Sequence, residues 1–132
     1  MQNIVQITLV VDDYDKAIEY YTATLRFVLI EDTRLTETKR WVLIAPPGST
    51  NGFKLLLAKA ANEEQEKFIG NQTGGRVFLF LHTDNFSRDY DHLKMSGVHF
   101  VREPTKEEYG TVAVFQDIYG NLWDLVEPGI SK

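Results

Sequence analysis

Hydrophobic and polar positions alternate along the first segment of the chain, QNIVQITLVV. Within residues 5–11 every odd-numbered position is apolar, whereas the even-numbered positions begin with Gln6 and Thr8. A period of two with several β-branched residues predicts a β-strand. Residues 12–27 instead repeat apolar side chains at helical spacing, and Asp12 or Asp13 can cap the first turn. The chain is therefore predicted to begin with a strand followed by a helix.

Three further strands are predicted in the first half of the chain. The apolar runs are FVLIEDTRL, KRWVLIA and FKLLLAKA, and the turn-forming segment PPGSTNG separates the last two. The predicted order is thus β-α-β-β-β. A polar connection over residues 61–75 follows, with a short helical piece and a Gly-Gly end.

The same pattern then starts again in the second half. A strand, RVFLFLHTD, precedes a helix, NFSRDYDHLKMSG, and three strands follow in VHFVREP, GTVAVFQD and NLWDLVEP. Gly97 is the predicted stop of this helix. The prediction is one domain over 1–132, with module one at 1–60, the connection at 61–75 and module two at 76–132. The predicted fold class is α+β, built from two βαβββ modules. Two modules are expected to fold together, because one such unit buries too little surface to be stable alone.

Composition narrows the possible functions. The chain of 132 residues has a net charge of −5 and no basic stripe, so no nucleic-acid partner is expected. It contains no cysteine, which excludes disulfides, thiolate metal sites and cysteine nucleophiles. No apolar run approaches the ~20 residues of a membrane span, and the first residues lack a cationic leader. We therefore expect no membrane partner and a cytoplasmic location.

Three phrases of the sequence resemble the vicinal oxygen chelate superfamily, also called the glyoxalase/bleomycin resistance/dioxygenase superfamily. They are VVDDYDKAIEYYTATLRF, LKMSGVHF and FQDIYGNLWDLVEP, and the resemblance covers essentially the whole chain. It implies that the paired modules form a cupped mixed sheet and that the protein assembles as a homodimer. It also implies a divalent metal in the cup, held by the first and last strands of each module.

The ligand positions implied by the resemblance fall on Gln6, Leu56, Phe78 and Asp124. A catalytic metal needs about three donor ligands, and leucine and phenylalanine donate nothing. These four positions are therefore predicted to be vestigial, and no cofactor is expected. A divalent metal completed by substrate or water remains the alternative.

One carboxylate in the last strand, Asp124, lies between Trp123 and Leu125, where an unpaired charge is costly. It is either paired with a cation such as Lys54 or Arg40, or functional; if the protein is an enzyme, Asp124 is the candidate catalytic base. Side chains on the same faces of the cup strands form the predicted small-molecule pocket. The predicted ligand-binding residues are Gln6, Thr8, Leu56, Phe78, Phe80, His82 and Asp124, with Trp41, Tyr109 and Phe115 as further candidates at the rim.

Three functions are compatible with these residues. The first is binding of a small, partly apolar molecule in a cup without a complete metal site. The alternative is a metal-dependent lyase, isomerase or dioxygenase of the same superfamily. The third is a regulatory module with a vestigial cup, in which the acidic segment NEEQEKFIGNQ contacts a partner.

Overall fold

Two structural units make up the chain. In a computed structural model that describes residues 1–129, the first unit spans Met1–Ile69 and the second begins at Gly70. Residues 130–132, the end of predicted module two, lie outside the described residues. Both units have the β-α-β-β-β order that the sequence predicts, so the α+β fold class with two βαβββ modules is confirmed.

The first unit is a four-stranded mixed sheet with its helix inserted after the first strand. Strand β1 is parallel to β4, and the remaining neighbours are antiparallel, in the order β1-β4-β3-β2. The elements are β1 Gln6–Val11, α1 Tyr14–Glu19, a π-helical turn Tyr20–Thr24, β2 Val28–Arg34, β3 Arg40–Ala45, β4 Lys54–Lys59 and the short helix α2 Glu63–Glu66.

The alternation in β1 sorts its side chains between two faces of the sheet. Leu9 and Val11 are completely buried, whereas Thr8 is exposed. Helix α1 starts where Oδ1 of Asp13 accepts a hydrogen bond of 2.8 Å from the backbone N–H of Lys16. The side chain thus accepts from one of the backbone N–H groups that have no partner within the helix at its start, as the sequence predicts.

The helix of the first unit departs from the single α-helix expected over residues 12–27. After Glu19 the hydrogen bonding changes to the π pattern, in which the N–H of Leu25 donates to the carbonyl of Tyr20. The hydroxyl of Thr22 donates to the carbonyl of Ile18 at 2.7 Å, and such a bond competes with the regular helical ladder. Arg26 then ends the helix with a positive φ of 62°.

The second unit repeats this topology. Its elements are β5 Val77–His82, α3 Phe86–Met95, β6 Phe100–Glu107, β7 Gly110–Gln116 and β8 Leu122–Pro128. The sheet order is β5-β8-β7-β6, with β5 parallel to β8. The internal duplication therefore extends to strand order, which periodicity alone does not reveal.

Stacked aromatic rings fill the core of the second unit. Phe115 and Trp123 are both buried, and their ring centroids lie 5.9 Å apart at an interplanar angle of 12°. The sequence suggested Phe115 as a candidate rim residue. It is instead a core residue, because its pairing with Trp123 places it on the core face.

Gly97 follows α3 with a φ of 84°, which matches the predicted helix stop. No helix within residues 1–129 has the length and apolar character needed to traverse a bilayer.

Candidate functional site

The turn before the last strand is held together by a buried carboxylate. Asp117, only 5% exposed, accepts hydrogen bonds from the backbone N–H groups of Tyr119 and Asn121, at 2.9 and 3.0 Å. It also accepts from Nδ2 of Asn121 and from Nε1 of Trp123, both at 3.0 Å. Gly120 supplies the left-handed conformation that the turn needs, with a φ of 96°. These contacts fix the turn and so position the start of β8.

A row of four side chains crosses the second sheet at Asp124. Phe80 and Val114 are the two register partners of Asp124, and Arg102 is in turn the partner of Val114. Side chains of paired residues share a face, so all four residues lie on the same side of the sheet. Adjacent strands are about 4.8 Å apart, which places the backbones of Arg102 and Asp124 about 10 Å apart.

The row combines an exposed aromatic ring with a partly buried charge. Phe80 is 66% exposed, Asp124 is half-buried, and Val114 between the two charged residues is buried. Burial raises the pKa of the Asp124 carboxyl, and the positive charge of Arg102 opposes this shift in part. The positive charge that opposes the shift is thus carried by a residue two strands away, at the outer strand of the same sheet.

The cations proposed from sequence as partners of Asp124 are engaged elsewhere. Arg40 forms ion pairs with Asp32 at 2.6 Å and with Asp15 at 2.9 Å, both inside the first unit. The ammonium group of Lys54 donates to the carbonyl of Gly52 at 3.2 Å. Sequence analysis missed Arg102 because its relation to Asp124 depends on strand order and register.

Replacing Asp124 by asparagine is expected to raise the melting temperature at neutral pH by about 2 °C, because a neutral amide avoids the cost of a partly buried charge. The folded-state pKa of Asp124 lies above its unfolded-state value. The penalty is therefore present at neutral pH and disappears as the pH falls through the folded-state pKa. Thermal melts of wild type and Asp124→Asn should converge toward pH 4.

The matched control for this prediction is Asp91→Asn, at an exposed position on α3. It should change the melting temperature by less than about 1 °C at any pH in that range. An equal rise in both variants would show that burial of Asp124 is not the cause.

The equivalent row in the first unit has different side chains. Leu56 occupies the position on β4 that Asp124 occupies on β8, and its register partners are Thr8 and Leu43. Gln6 lies one repeat earlier on the same face of β1, where its partner is Lys54. The structure thus pairs Thr8 with Leu56 and Gln6 with Lys54 in the parallel ladder.

A bulge in β5 separates Phe78 from the regular pairing. Val77 is paired with Leu122 and Leu79 with Trp123, so Phe78 is the extra residue between them. Phe80 is consequently the direct neighbour of Asp124, although Phe78 is the position implied by the family resemblance. His82 lies at the exposed end of the strand.

The residues at the implied ligand positions do not fit a resident divalent metal. Gln6 and Asp124 carry oxygen donors, but the side chains of Leu56 and Phe78 have none. Across residues 1–129, no group of three or more histidine, aspartate or glutamate side chains is arranged to hold a metal ion. A catalytic divalent metal needs about three protein ligands.

A sequence profile of the Glyoxalase/Bleomycin resistance protein/Dioxygenase superfamily matches residues 3–125. The chain belongs to this superfamily. Relatives match this chain over nearly its whole length. A Shewanella frigidimarina protein is 61% identical over 127 residues, covering 96% of this chain and 93% of its own length. The Bacillus subtilis protein YurT is 35% identical over 128 residues, covering 94% of this chain and 98% of its own length.

Two solved structures are similar to this chain over nearly its whole length. UcmS2 has a TM-score of 0.82 at 30% identity, with 96% of this chain and 98% of that chain covered. TnmS3 from Streptomyces sp. CB03234, described as an antibiotic binding protein, has a TM-score of 0.76 at 26% identity, with 98% of each chain covered. The family resemblance drawn from the sequence is therefore confirmed.

Proposed function

We propose that this superfamily member binds a small, partly apolar organic molecule on the face of the second sheet that carries Phe80 and Asp124. The observation that carries the proposal is the juxtaposition of a 66% exposed phenylalanine with a half-buried carboxylate in one register pair. An exposed aromatic ring is a surface on which a planar group can stack. Convergence of apolar area and a few polar groups is typical of ligand sites.

The residues of the row have different roles in this proposal. Phe80 supplies the apolar contact, whose burial provides most of the binding free energy. Asp124 accepts a hydrogen bond from an N–H, O–H or ammonium group of the ligand. Arg102, about 10 Å away across the sheet, favours an electron-rich group at the other end of the ligand. Occupancy by a donor group would also offset the desolvation of Asp124.

Binding is proposed to require no metal, because the donor set at the implied metal positions is incomplete. The description of TnmS3 as an antibiotic binding protein supports a binding role for this superfamily member as well. The remaining predicted ligand contacts, Gln6, Thr8, Leu56, Phe78 and His82, stay predictions, as do homodimer assembly and a cytoplasmic location.

The test is a binding screen followed by substitution of Phe80. Aromatic amines, phenols and fused-ring compounds are screened by thermal shift in the presence of EDTA, and affinities of the hits are measured by calorimetry. Phe80→Ala should weaken binding of the best hit at least about tenfold, because it removes the stacking surface. The matched control is Phe68→Ala, which removes an exposed ring, 48%, from the first unit and should leave affinity unchanged.

The same screen also tests whether the protein binds a divalent metal ion. The protein is melted after addition of Ni²⁺, Zn²⁺ or Mn²⁺, with Asp124→Ala in parallel. We expect no stoichiometric stabilisation by any of these ions. Tight metal binding that Asp124→Ala abolishes would contradict the proposal and favour a metal-dependent enzyme. Equal affinity of wild type and Phe80→Ala for every hit would also contradict it.

A further inference from the structure

A second candidate binding surface lies on strands β2 and β3 of the first unit, where β3 carries Trp41. The Trp41 side chain is half-buried, and its indole N–H makes no hydrogen bond within residues 1–129. Its register partner on β2 is the exposed Thr33. Val42 is paired with Leu57, so the next residue of antiparallel β4, Ala58, lies opposite Trp41 on the other side. Both strand neighbours of the indole are therefore small side chains.

A carboxylate is held close to this ring. Glu31 lies two residues before Thr33 on the same face of β2, and its Oε2 accepts a hydrogen bond of 2.9 Å from the Thr33 hydroxyl. This bond draws the carboxylate toward the row of side chains that contains Trp41. Diagonal neighbours on one sheet face have Cβ atoms about 7–8 Å apart, within reach of long and aromatic side chains. A group that contacts the indole can therefore also contact Glu31.

The positive side chains of the neighbouring strands do not offset this carboxylate. Glu31 is exposed and forms no ion pair within residues 1–129. Arg34 and Arg40 are register partners of each other at the alternate positions, so they lie on the opposite face of the sheet. The ammonium group of Lys54, on β4, donates to the carbonyl of Gly52. The pair of Trp41 and Glu31 is thus complementary to a positive charge.

A cation at this position is attracted in two ways. Tryptophan has the strongest cation–π attraction of the aromatic side chains, and the carboxylate adds a charge pair. A compact ammonium group is strongly hydrated and would keep its water at an exposed site. An alkylated ammonium group instead has apolar surface that can contact the indole and the Ala58 methyl. We propose that Trp41 and Glu31 bind the trimethylammonium group of a small organic cation, which goes beyond the function proposed for the second sheet.

The test follows the indole N–H signals of ¹⁵N-labelled protein by NMR, because the chain contains two tryptophans. Trp123 is buried and its N–H donates to Asp117, so its signal is an internal reference, and Trp41→Phe assigns the two. The probes are choline, its uncharged isostere 3,3-dimethylbutan-1-ol, and ethanolamine, which lacks the methyl groups. Choline should shift the Trp41 signal saturably, with an affinity at least about fivefold higher than that of the other probes. Absence of a saturable shift, or equal affinity for either other probe, would overturn the proposal.

A charge-removing variant tests the role of the carboxylate. Glu31→Gln keeps an acceptor for the Thr33 hydroxyl but removes the negative charge. It should weaken choline binding at least about threefold and leave the response to the uncharged isostere unchanged. The control Glu37→Gln neutralises an exposed carboxylate in the loop between β2 and β3 and should have no effect. Choline binding that is unchanged in Glu31→Gln would overturn the proposal.

Two further variants locate the probe. Trp41→Leu should abolish binding, measured by saturation transfer to the methyl protons of choline, and retention of binding would contradict the proposal. Phe80→Ala should leave the choline response intact, so this site and the proposed face of the second sheet can fail separately. A loss in Phe80→Ala as large as that in Glu31→Gln would mean that choline is bound on the second sheet, which would overturn this assignment.

Discussion

Replacing Asp117 by alanine is expected to lower the free energy of unfolding by about 4 kcal/mol, a large part of the stability of an ordinary domain. The substitution removes the acceptor of four hydrogen bonds at 2.9–3.0 Å, two of them from the backbone of the turn. One of the side-chain donors is Nε1 of Trp123, whose ring is part of the aromatic core. Urea denaturation of the two proteins measures the difference directly.

The neighbouring residue provides a matched control. Ile118 belongs to the same turn but is 45% exposed. Ile118→Ala should therefore change the free energy of unfolding by less than about 0.5 kcal/mol. If Asp117→Ala were as mild as Ile118→Ala, the buried carboxylate would not be what holds the turn and β8 in place.

Gly70→Ala is expected to cost about 3 kcal/mol, because the new methyl group meets the backbone rather than a flexible side chain. An added Cβ would lie 2.0 Å from the carbonyl oxygen of Tyr119, a distance that requires one of the two loops to move. The φ of 76° at this position adds strain for any L-residue. Chemical denaturation gives the size of the loss.

Gly74→Ala separates steric overlap from backbone strain. Gly74 has a similar φ of 68°, but an added Cβ would have no atom within 4 Å. It should therefore cost only about 1 kcal/mol. Equal losses in both variants would mean that the overlap with the Tyr119 carbonyl is relieved without a cost in stability.

Much of the architecture could be predicted from the sequence, because burial of one face of a strand or helix requires apolar residues at regular intervals. The alternation that begins at Gln6 and Thr8 identifies β1, and its repetition after residue 75 identifies the second module. Periodicity does not report which strands are neighbours, since pairing depends on contacts between distant segments. The parallel pairs β1–β4 and β5–β8 became known only from the structure.

The candidate site was predictable only in part for the same reason. Asp124 stands out in the sequence because a charge among apolar neighbours is costly, and that cost appears in the structure as a raised pKa. Its aromatic neighbour is Phe80 because a bulge displaces Phe78. Such a bulge cannot be recognised from the sequence of a continuous apolar run. Arg102 could not be found, since its distance from Asp124 depends on two pairings between strands.

The interior position of the last strand in each sheet has a consequence for synthesis. β4 lies between β1 and β3, and β8 lies between β5 and β7. Helices and hairpins can form as soon as their residues emerge from the ribosome, but each sheet lacks its centre until the closing strand is made. The first sheet has all four of its strands once Lys59 has emerged, at a point when the second unit is still to be translated.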